Sequence, residues 1–304
     1  MPTSQFATAL KSLLFIVALA TSARGAEPDP AQPAPPVKKV LIIGIDGCRP
    51  DALLAAKAPH LQGQIAAGAF SDQTQTGKDT VSGPGWSSML TGVWADKHGV
   101  RNNEFKNSNY EKYPHFFRRL KDSKPGLNLQ SIVHWAPIHE KIMSGADLSV
   151  AVPTDALVAA GAVKVLSQKN PDVLFLHFDD VDSAGHAKGF HPTVPEYIQA
   201  IEKTDEYVGT VLAAVKARPT YAQEDWLILS STDHGGKGTG HSGGANVPEI
   251  RTIYLIASGP STIHGKIEQP TFVVDVAATA IAHLGVPILE AWELDGKPVG
   301  LKQP

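Results

Sequence analysis

Apolar positions in the folded part of the chain come in continuous runs rather than in alternation. Residues 38–47, KKVLIIGIDG, are apolar and largely β-branched up to Asp46-Gly47, the pattern of a strand buried on both faces with Asp46 at its carboxyl end. Similar runs at 130–135, 172–178, 226–231 and 252–257 predict further strands. Between them, Ile198, Ile201, Val208, Val211, Leu212 and Val215 recur at three- and four-residue spacing and predict a helix over 195–217. Shorter helical patterns fall at 113–120, 155–167 and 274–284. Strand and helix alternate, so the fold class is α/β. No internal repeat interrupts the pattern, which favours one compact domain over two.

In open α/β sheets, ligands gather at the carboxyl ends of the strands. Three polar clusters obey that rule. Asp46 ends the first run, Asp179-Asp180-Val181-Asp182 follows 173–178, and Asp233-His234 follows 227–231, which places all three to face one pocket.

Upstream of the first strand the pattern changes. Lys11 precedes an apolar run over 13–20 and then the small residues Ala23, Gly25 and Ala26, which reads as a secretory signal peptide over 1–26. The run is too short for a comfortable bilayer span. Residues 27–37, EPDPAQPAPPV, read as an extended proline-rich linker, leaving one folded domain at 38–304. The product is expected to be exported, periplasmic or secreted, with no membrane span after cleavage. Cys48 is the single cysteine and forms no intramolecular disulfide, so the core, with or without help from metal, must hold an exported chain together. Cys48 itself reads as a small packed residue rather than a reactive thiol. The formal net charge of -3 contains no basic excess, so no stable nucleic-acid partner is expected. Oligomeric state leaves no mark on the sequence.

The clusters carry chemistry residue by residue. Asp182 and His186 stand four apart, one helical turn, and can chelate a single ion, although a capping Asp and a surface His have the same spacing. Asp233-His234 is followed by Gly235-Gly236, glycines that permit the sharp turn adjacent ligands need. His241 lies in the flexible stretch GTGHSGG, which has little use for a bulky imidazole unless something orders it. Ser82 lies in TVSGPGWSSMLTG, a turn entering a short apolar helix. There a seryl oxygen either caps the helix or attacks phosphorus while exposed backbone amides hold the phosphoryl oxygens, and Thr80 competes for that role. His98, His177, His191, His264 and His283 lack such company and read as structural or surface residues, with His191 the one left open.

Over about residues 40–260 these motifs, in this order, resemble the alkaline phosphatase superfamily, specifically its type I phosphodiesterase and nucleotide pyrophosphatase branch. The landmarks are a strand ending in Asp46-Gly47, a nucleophile two residues before Pro84, Thr91-Gly92, Asp182 with His186, Asp233-His234-Gly235 and the later His241. The register set by Pro84 and Thr91-Gly92 puts the nucleophile at Ser82 rather than Thr80, and Asn103 at a phosphate-contacting position. The resemblance implies a three-layer sandwich with a central, largely parallel β-sheet and helices on both faces. It also implies two divalent metal ions, one held by Asp182, His186 and His241, the other by Asp46, Asp233, His234 and the Ser82 oxygen. Zinc is the expected ion at both, and manganese or iron is chemically acceptable to such mixed imidazole and carboxylate sets.

There are departures from the branch. Its members use Thr followed by an aromatic residue and Pro, whereas Ser82-Gly83-Pro84 has the serine of the phosphomonoesterases. Trp86 stands where the related sulfatases carry Arg, which disfavours sulfate esters. The expected activity is hydrolysis of small phosphate esters, as a phosphodiesterase or nucleotide pyrophosphatase acting through a phosphoseryl intermediate, with Asn103 and the Gly83 amide holding non-bridging oxygens. An alkaline phosphomonoesterase is the alternative, ahead of a sulfatase, a phosphonate hydrolase, or a non-hydrolytic phosphoryl transferase or binding protein. Lys78, Arg101 and Lys237 are the nearby candidates for added positive charge.

Overall fold

The computed structural model describes residues 35–143 and 147–303. The signal peptide read at 1–26, and residues 27–34 of the linker, lie outside them. Strands β1 (Val37–Ile45), β2 (Gly68–Gln75), β3 (Leu129–Val133), β4 (Leu148–Ala151), β5 (Val173–Phe178), β6 (Glu224–Ser231), β7 (Thr252–Ser258) and β8 (Gly265–Lys266) form one sheet in the order β4-β3-β5-β1-β6-β7-β2-β8. β7 runs antiparallel to both neighbours, and every other pairing is parallel.

β1 is central, with Gly44 in register with His177 of β5 on one side and Ser231 of β6 on the other. The three strands therefore end together, and the residues that follow them share one edge. Burial on both faces explains the unbroken apolar run. Val40 and Ile42 enter a core covered by the helices Ser82–Thr91 and Asp275–His283, while Leu41, Ile43 and Ile45 enter a second core under the helices Asp155–Gln168 and Pro195–Lys216. Truncating any of these to Ala would cost about 2–5 kcal/mol. Pro195 opens the longest helix at a position where its missing N–H is not needed. Among the described residues, no helix is long and apolar enough to cross a membrane.

The sequence pattern located five strands and missed three. β2 reads GAFSDQTQ, too polar for a buried strand, because hydroxyls rather than methyls fill its inner face. Thr74 Oγ1 lies 2.6 Å from Thr271 Oγ1, which donates to Ser71 Oγ at 3.0 Å, so these buried groups are satisfied by one another. β4 and β8, of four and two residues, are too short to show periodicity. β1 takes in Val37, assigned above to the linker, and the helix expected at 113–120 lies at Phe116–Ser123.

Candidate active site

Asp46 leaves β1 in a turn that depends on the glycine after it. Gly47 has φ of +62°, and a Cβ there would lie 2.5 Å from Asp182 Oδ1, so glycine is required both by conformation and by space. Tyr197 Oη donates to the Gly47 carbonyl at 2.6 Å and accepts from the Arg49 amide at 3.0 Å. The Arg49 guanidinium reaches the carbonyls of Phe190 (2.7 Å) and Gly236 (3.0 Å), tying the Asp46 turn to two loops that flank the other candidate ligands.

The Asp46 carboxylate is held from behind. Trp86 Nε1 donates to Oδ2 at 2.9 Å, and the indole fits because Gly44 beneath it has no Cβ. His177 Nδ1 accepts the Trp135 amide at 3.3 Å, which leaves the proton on Nε2 to be donated to the same Oδ2 at 3.1 Å. Oδ2 is thereby occupied, and the buried Oδ1 has no hydrogen-bond partner.

Three imidazoles face this oxygen and its neighbours, each with a fixed tautomer. His234 Nδ1 donates to the Gly235 carbonyl (2.9 Å), His241 Nδ1 to the Thr80 carbonyl (2.8 Å) and His186 Nδ1 to the Thr239 carbonyl (2.9 Å). Every Nε2 is therefore a bare lone pair. The His186 and His241 Nε2 atoms stand 3.0 Å apart, and Asp182 Oδ2 is 3.3 Å from the former. His234 Nε2 lies 3.3 Å from Asp233 Oδ2 and 3.5 Å from Asp46 Oδ1. Phe190 packs edge-on behind His186 and His241, and the His234 and His241 rings stack at 3.7 Å.

Ser82 is the first residue of its helix, one position past the N-cap Val81. Its hydroxyl points at the cluster, 3.4 Å from His234 Nε2. Thr80 is turned away, donating to the His241 carbonyl at 2.6 Å and accepting from the Gly244 amide at 2.9 Å. Gly85 brings the helix against Asp233, since a Cβ there would lie 2.8 Å from the Asp233 Cβ. Asn103 Oδ1 accepts the Gly83 amide at 2.7 Å, so that N–H, expected above to hold substrate, instead orients the Asn103 side chain and leaves its NH2 for a ligand.

The electrostatics of this cluster are those of a cation site. Burial, then the like charges of Asp46 and Asp179, push the Asp182 carboxyl up to about 9. Burial, Asp46 and Asp182 raise Asp233 well above the carboxylate range. Burial would raise Asp46 too, but His177 and His234 hold it below its ordinary value. Burial and the neighbouring His241 bring His234 down to about 3. Without cations the carboxylates cannot all ionise. Buried oxygens of Asp46, Asp182 and Asp233 without partners, opposite imidazole lone pairs whose other nitrogens donate to backbone carbonyls, are the donor set a divalent metal takes. Asp182, His186 and His241 bring ligand atoms within 4.8 Å of one another, as do Asp46, Asp182 and His234, with Asp233 against the latter imidazole. A further trio, Asp46, His177 and Asp179, is equally close, but His177 donates rather than accepts there and so cannot bind a cation in that tautomer.

Outside the cluster, His191 bonds locally to Thr193, His98 to Ser88 and His283 to the Asp225 carbonyl. Cys48 is fully buried and its thiol is pushed up by burial, as befits a packed residue. The sequence reading missed His177, placed above among the structural histidines. Its signal was register: a histidine one residue short of the end of β5 must lie beside the end of β1.

The family profile for type I phosphodiesterase / nucleotide pyrophosphatase matches residues 40–147 and 130–250. The chain is 25% identical over 246 residues to the bis(5'-adenosyl)-triphosphatase ENPP4 of Bos taurus, covering 73% of this chain and 52% of that protein. It is 26% identical over 270 residues to the catalytic subunit of the human GPI ethanolamine phosphate transferase 2, covering 84% of this chain and 27% of that protein. The chain thus spans about half the length of the first relative and about a quarter of the second. In fold it is similar to murine ectonucleotide pyrophosphatase / phosphodiesterase 5, with a TM-score of 0.68, 14% identity and coverage of 83% of this chain and 96% of that one. The central, largely parallel sheet is the alkaline phosphatase-like architecture of such neighbours. The chain belongs to the type I phosphodiesterase/nucleotide pyrophosphatase family.

Proposed function

We propose that this chain is an exported hydrolase of phosphate diesters and pyrophosphates, with Ser82 as its nucleophile. The observation that carries the reading is the unsatisfied set of carboxylate oxygens and imidazole lone pairs gathered around the Ser82 hydroxyl. Asp182, His186 and His241 would hold one divalent cation and Asp46, Asp233, His234 and Ser82 the other, zinc being the ion such ligands suit. When bound, these cations supply Lewis-acid stabilisation of negative charge on the attacking and departing oxygens.

The chain's own residues do the rest. Ser82 Oγ releases its proton to solvent and bonds to phosphorus while the opposite P–O bond breaks, both electrons leaving with the departing oxygen, which stays anionic or takes a proton back from solvent. Water then displaces the serine from phosphorus and restores the hydroxyl. The Asn103 NH2, oriented by the Gly83 amide, holds a phosphoryl oxygen through both displacements. Trp86 and His177 keep Asp46 turned so that only Oδ1 faces the cluster.

Diester is favoured over monoester by charge. Arg101 is paired with Asp79 and Lys237 with Glu249, each at 2.9 Å, which spends on carboxylates positive charge that a monoester dianion would require. Sulfate is opposed by Trp86, whose indole N–H is committed to Asp46. The transferase relative motivates a second reading, in which an alcohol rather than water accepts the phosphoryl group.

Purified protein is to be assayed on bis(p-nitrophenyl) phosphate, p-nitrophenyl phosphate and p-nitrophenyl sulfate, with zinc and with chelator. The diester should turn over fastest, chelator should stop it, and Ser82→Ala should be inactive. Silence on all three with zinc present would move the assignment to the transferase reading.

A further inference from the structure

Gly83 and Ser87 stand one turn apart on the same face of the helix Ser82–Thr91, and the segment from Asn102 to Tyr110 closes over that face at both points. A Cβ on Gly83 would lie 2.8 Å from the Asn102 carbonyl oxygen, so the approach needs a residue without a side chain. Gly83 is also the soft point of the helix. It has the conformational freedom of glycine, and Pro84 disfavours helical backbone at the residue before it. What holds its two polar groups therefore decides where they point.

The Gly83 amide donates to Asn103 Oδ1 at 2.7 Å, and its carbonyl accepts from Ser87 Oγ at 2.5 Å. Ser87 is fully buried and its single proton is committed to that carbonyl, so the Tyr110 hydroxyl, 2.6 Å away, is the donor to Ser87 Oγ. Burial pushes the Tyr110 hydroxyl up, which keeps it a donor at neutral pH. The segment itself has few other anchors. Residues 101–109 are exposed apart from Phe105, and Phe105 and Asn107 have φ of +57° and +64°, outside any regular ladder. Tyr110, half-buried against the core, is where the segment is tied down.

We propose that Tyr110 is a positioning residue for the phosphoryl site: through Ser87 it fixes the Gly83 backbone, and with it the Asn103 NH2 that holds a phosphoryl oxygen. This rests on the hydrolase reading above for what Asn103 holds, and on hydrogen bonds alone for how Asn103 is held. Tyr110 itself touches no substrate. Without its hydroxyl, Ser87 is free to turn, the Gly83 carbonyl loses a fixed donor, and the amide that aims Asn103 moves with it. A donor displaced by even a fraction of an ångström serves the charge developing on phosphorus poorly.

The test is a double-mutant cycle on the full chain with zinc and bis(p-nitrophenyl) phosphate. Asn103→Ala should lower kcat/KM about 10²-fold, and Tyr110→Phe, which keeps the ring, about tenfold, with the loss falling on kcat rather than KM. In the Asn103→Ala background Tyr110→Phe should cost less than about twofold, because the group it positions is gone. Ser87→Ala should follow Tyr110→Phe in both backgrounds. An equal loss from Tyr110→Phe in both backgrounds overturns the proposal, since a residue that only supports the fold acts whether or not Asn103 is present, and so does the absence of any loss in the wild-type background. Should the wild type hydrolyse no diester, the hydrolase reading fails by itself and hydrogen exchange at the Gly83 amide decides the role of Tyr110. Exchange quickened about tenfold in Tyr110→Phe upholds the tie to Gly83, and an unchanged rate removes it.

Discussion

The two ends of β6 each bury a carboxylate and treat it in opposite ways. At the amino end, Glu224 accepts from Arg218 Nε (2.9 Å) and Nη2 (2.7 Å), from Thr220 Oγ1 (2.7 Å) and from Trp226 Nε1 (2.7 Å). Burial alone would raise it, but these donors hold it down to about 2. At the carboxyl end, Asp233 is fully buried, its Oδ2 has no donor, and the donors nearest Oδ1 stand at 3.5 Å. A buried charge with its full complement of donors belongs to the fold. One left short is a place where the fold gives up stability for a ligand.

The hardest test of that contrast is Asp233→Asn. Turnover on a diester with zinc should fall about 10³-fold, because under the proposed function Asp233 is one ligand of a positioned charge array. Metal-free protein should melt no lower than wild type, since the change removes a carboxylate that Asp46 and Asp182 repel. A chelated melting scan that drops several degrees would break the comparison.

Glu224→Gln should do the reverse. A folded value near 2 against an ordinary 4.5 is worth about 3 kcal/mol at neutral pH. Glu224 is a depressed acid, so its stabilisation is complete above pH 4.5 and is lost as pH falls through about 2. Denaturant titrations should show the gap between wild type and variant closing across that window, while turnover per folded molecule is retained. A gap independent of pH would mean the carboxylate charge was not its source.

How much of this was legible in the sequence follows the same division. Asp46, Asp182, Asp233, His186, His234 and His241 could be read because acidic and imidazole residues directly after buried strands, or in a glycine loop, have no local reason to be there. β1, β5, β6 and β7 could be read because burial on both faces leaves an unbroken apolar run. β2 could not, because its inner face is made of hydroxyls that pair with Thr271, far along the chain. Nor could the tie between Asn103 and Gly83, or the donors behind Asp46, since a histidine inside an apolar strand looks the same whether or not it touches a ligand. His177 and Trp86 become visible only once β5 is set beside β1.

Those two donors give a smaller effect and a sharper one. His177→Phe keeps a ring against Trp86, now 4.8 Å away and edge-on, but removes the proton donated to Asp46 Oδ2. Held then by Trp86 alone, Asp46 should hold zinc about 10–100-fold more weakly, read by competition with a chromophoric chelator. His177→Gln, which can carry an N–H to the same place, should recover most of the loss. Equal affinity in the Phe and Gln variants would mean that the imidazole only fills space.

The smallest expected effect separates two hydroxyls two residues apart. Thr80 and Ser82 are both buried, and either could serve as nucleophile on chemistry alone. Thr80 has spent its hydroxyl, giving its proton to the His241 carbonyl and accepting the Gly244 amide, whereas Ser82 has only a long contact to His234. Thr80→Val leaves a buried amide and a buried carbonyl without partners, which should cost about 1–3 kcal/mol in denaturant unfolding. Its effect on turnover should stay within about tenfold, through slackening of His241, whose ring is held by the Thr80 carbonyl that valine retains. If Thr80→Val were instead as inactive as Ser82→Ala, the rule that a satisfied polar group is structural would fail at this helix, and the same doubt would reach both ends of β6.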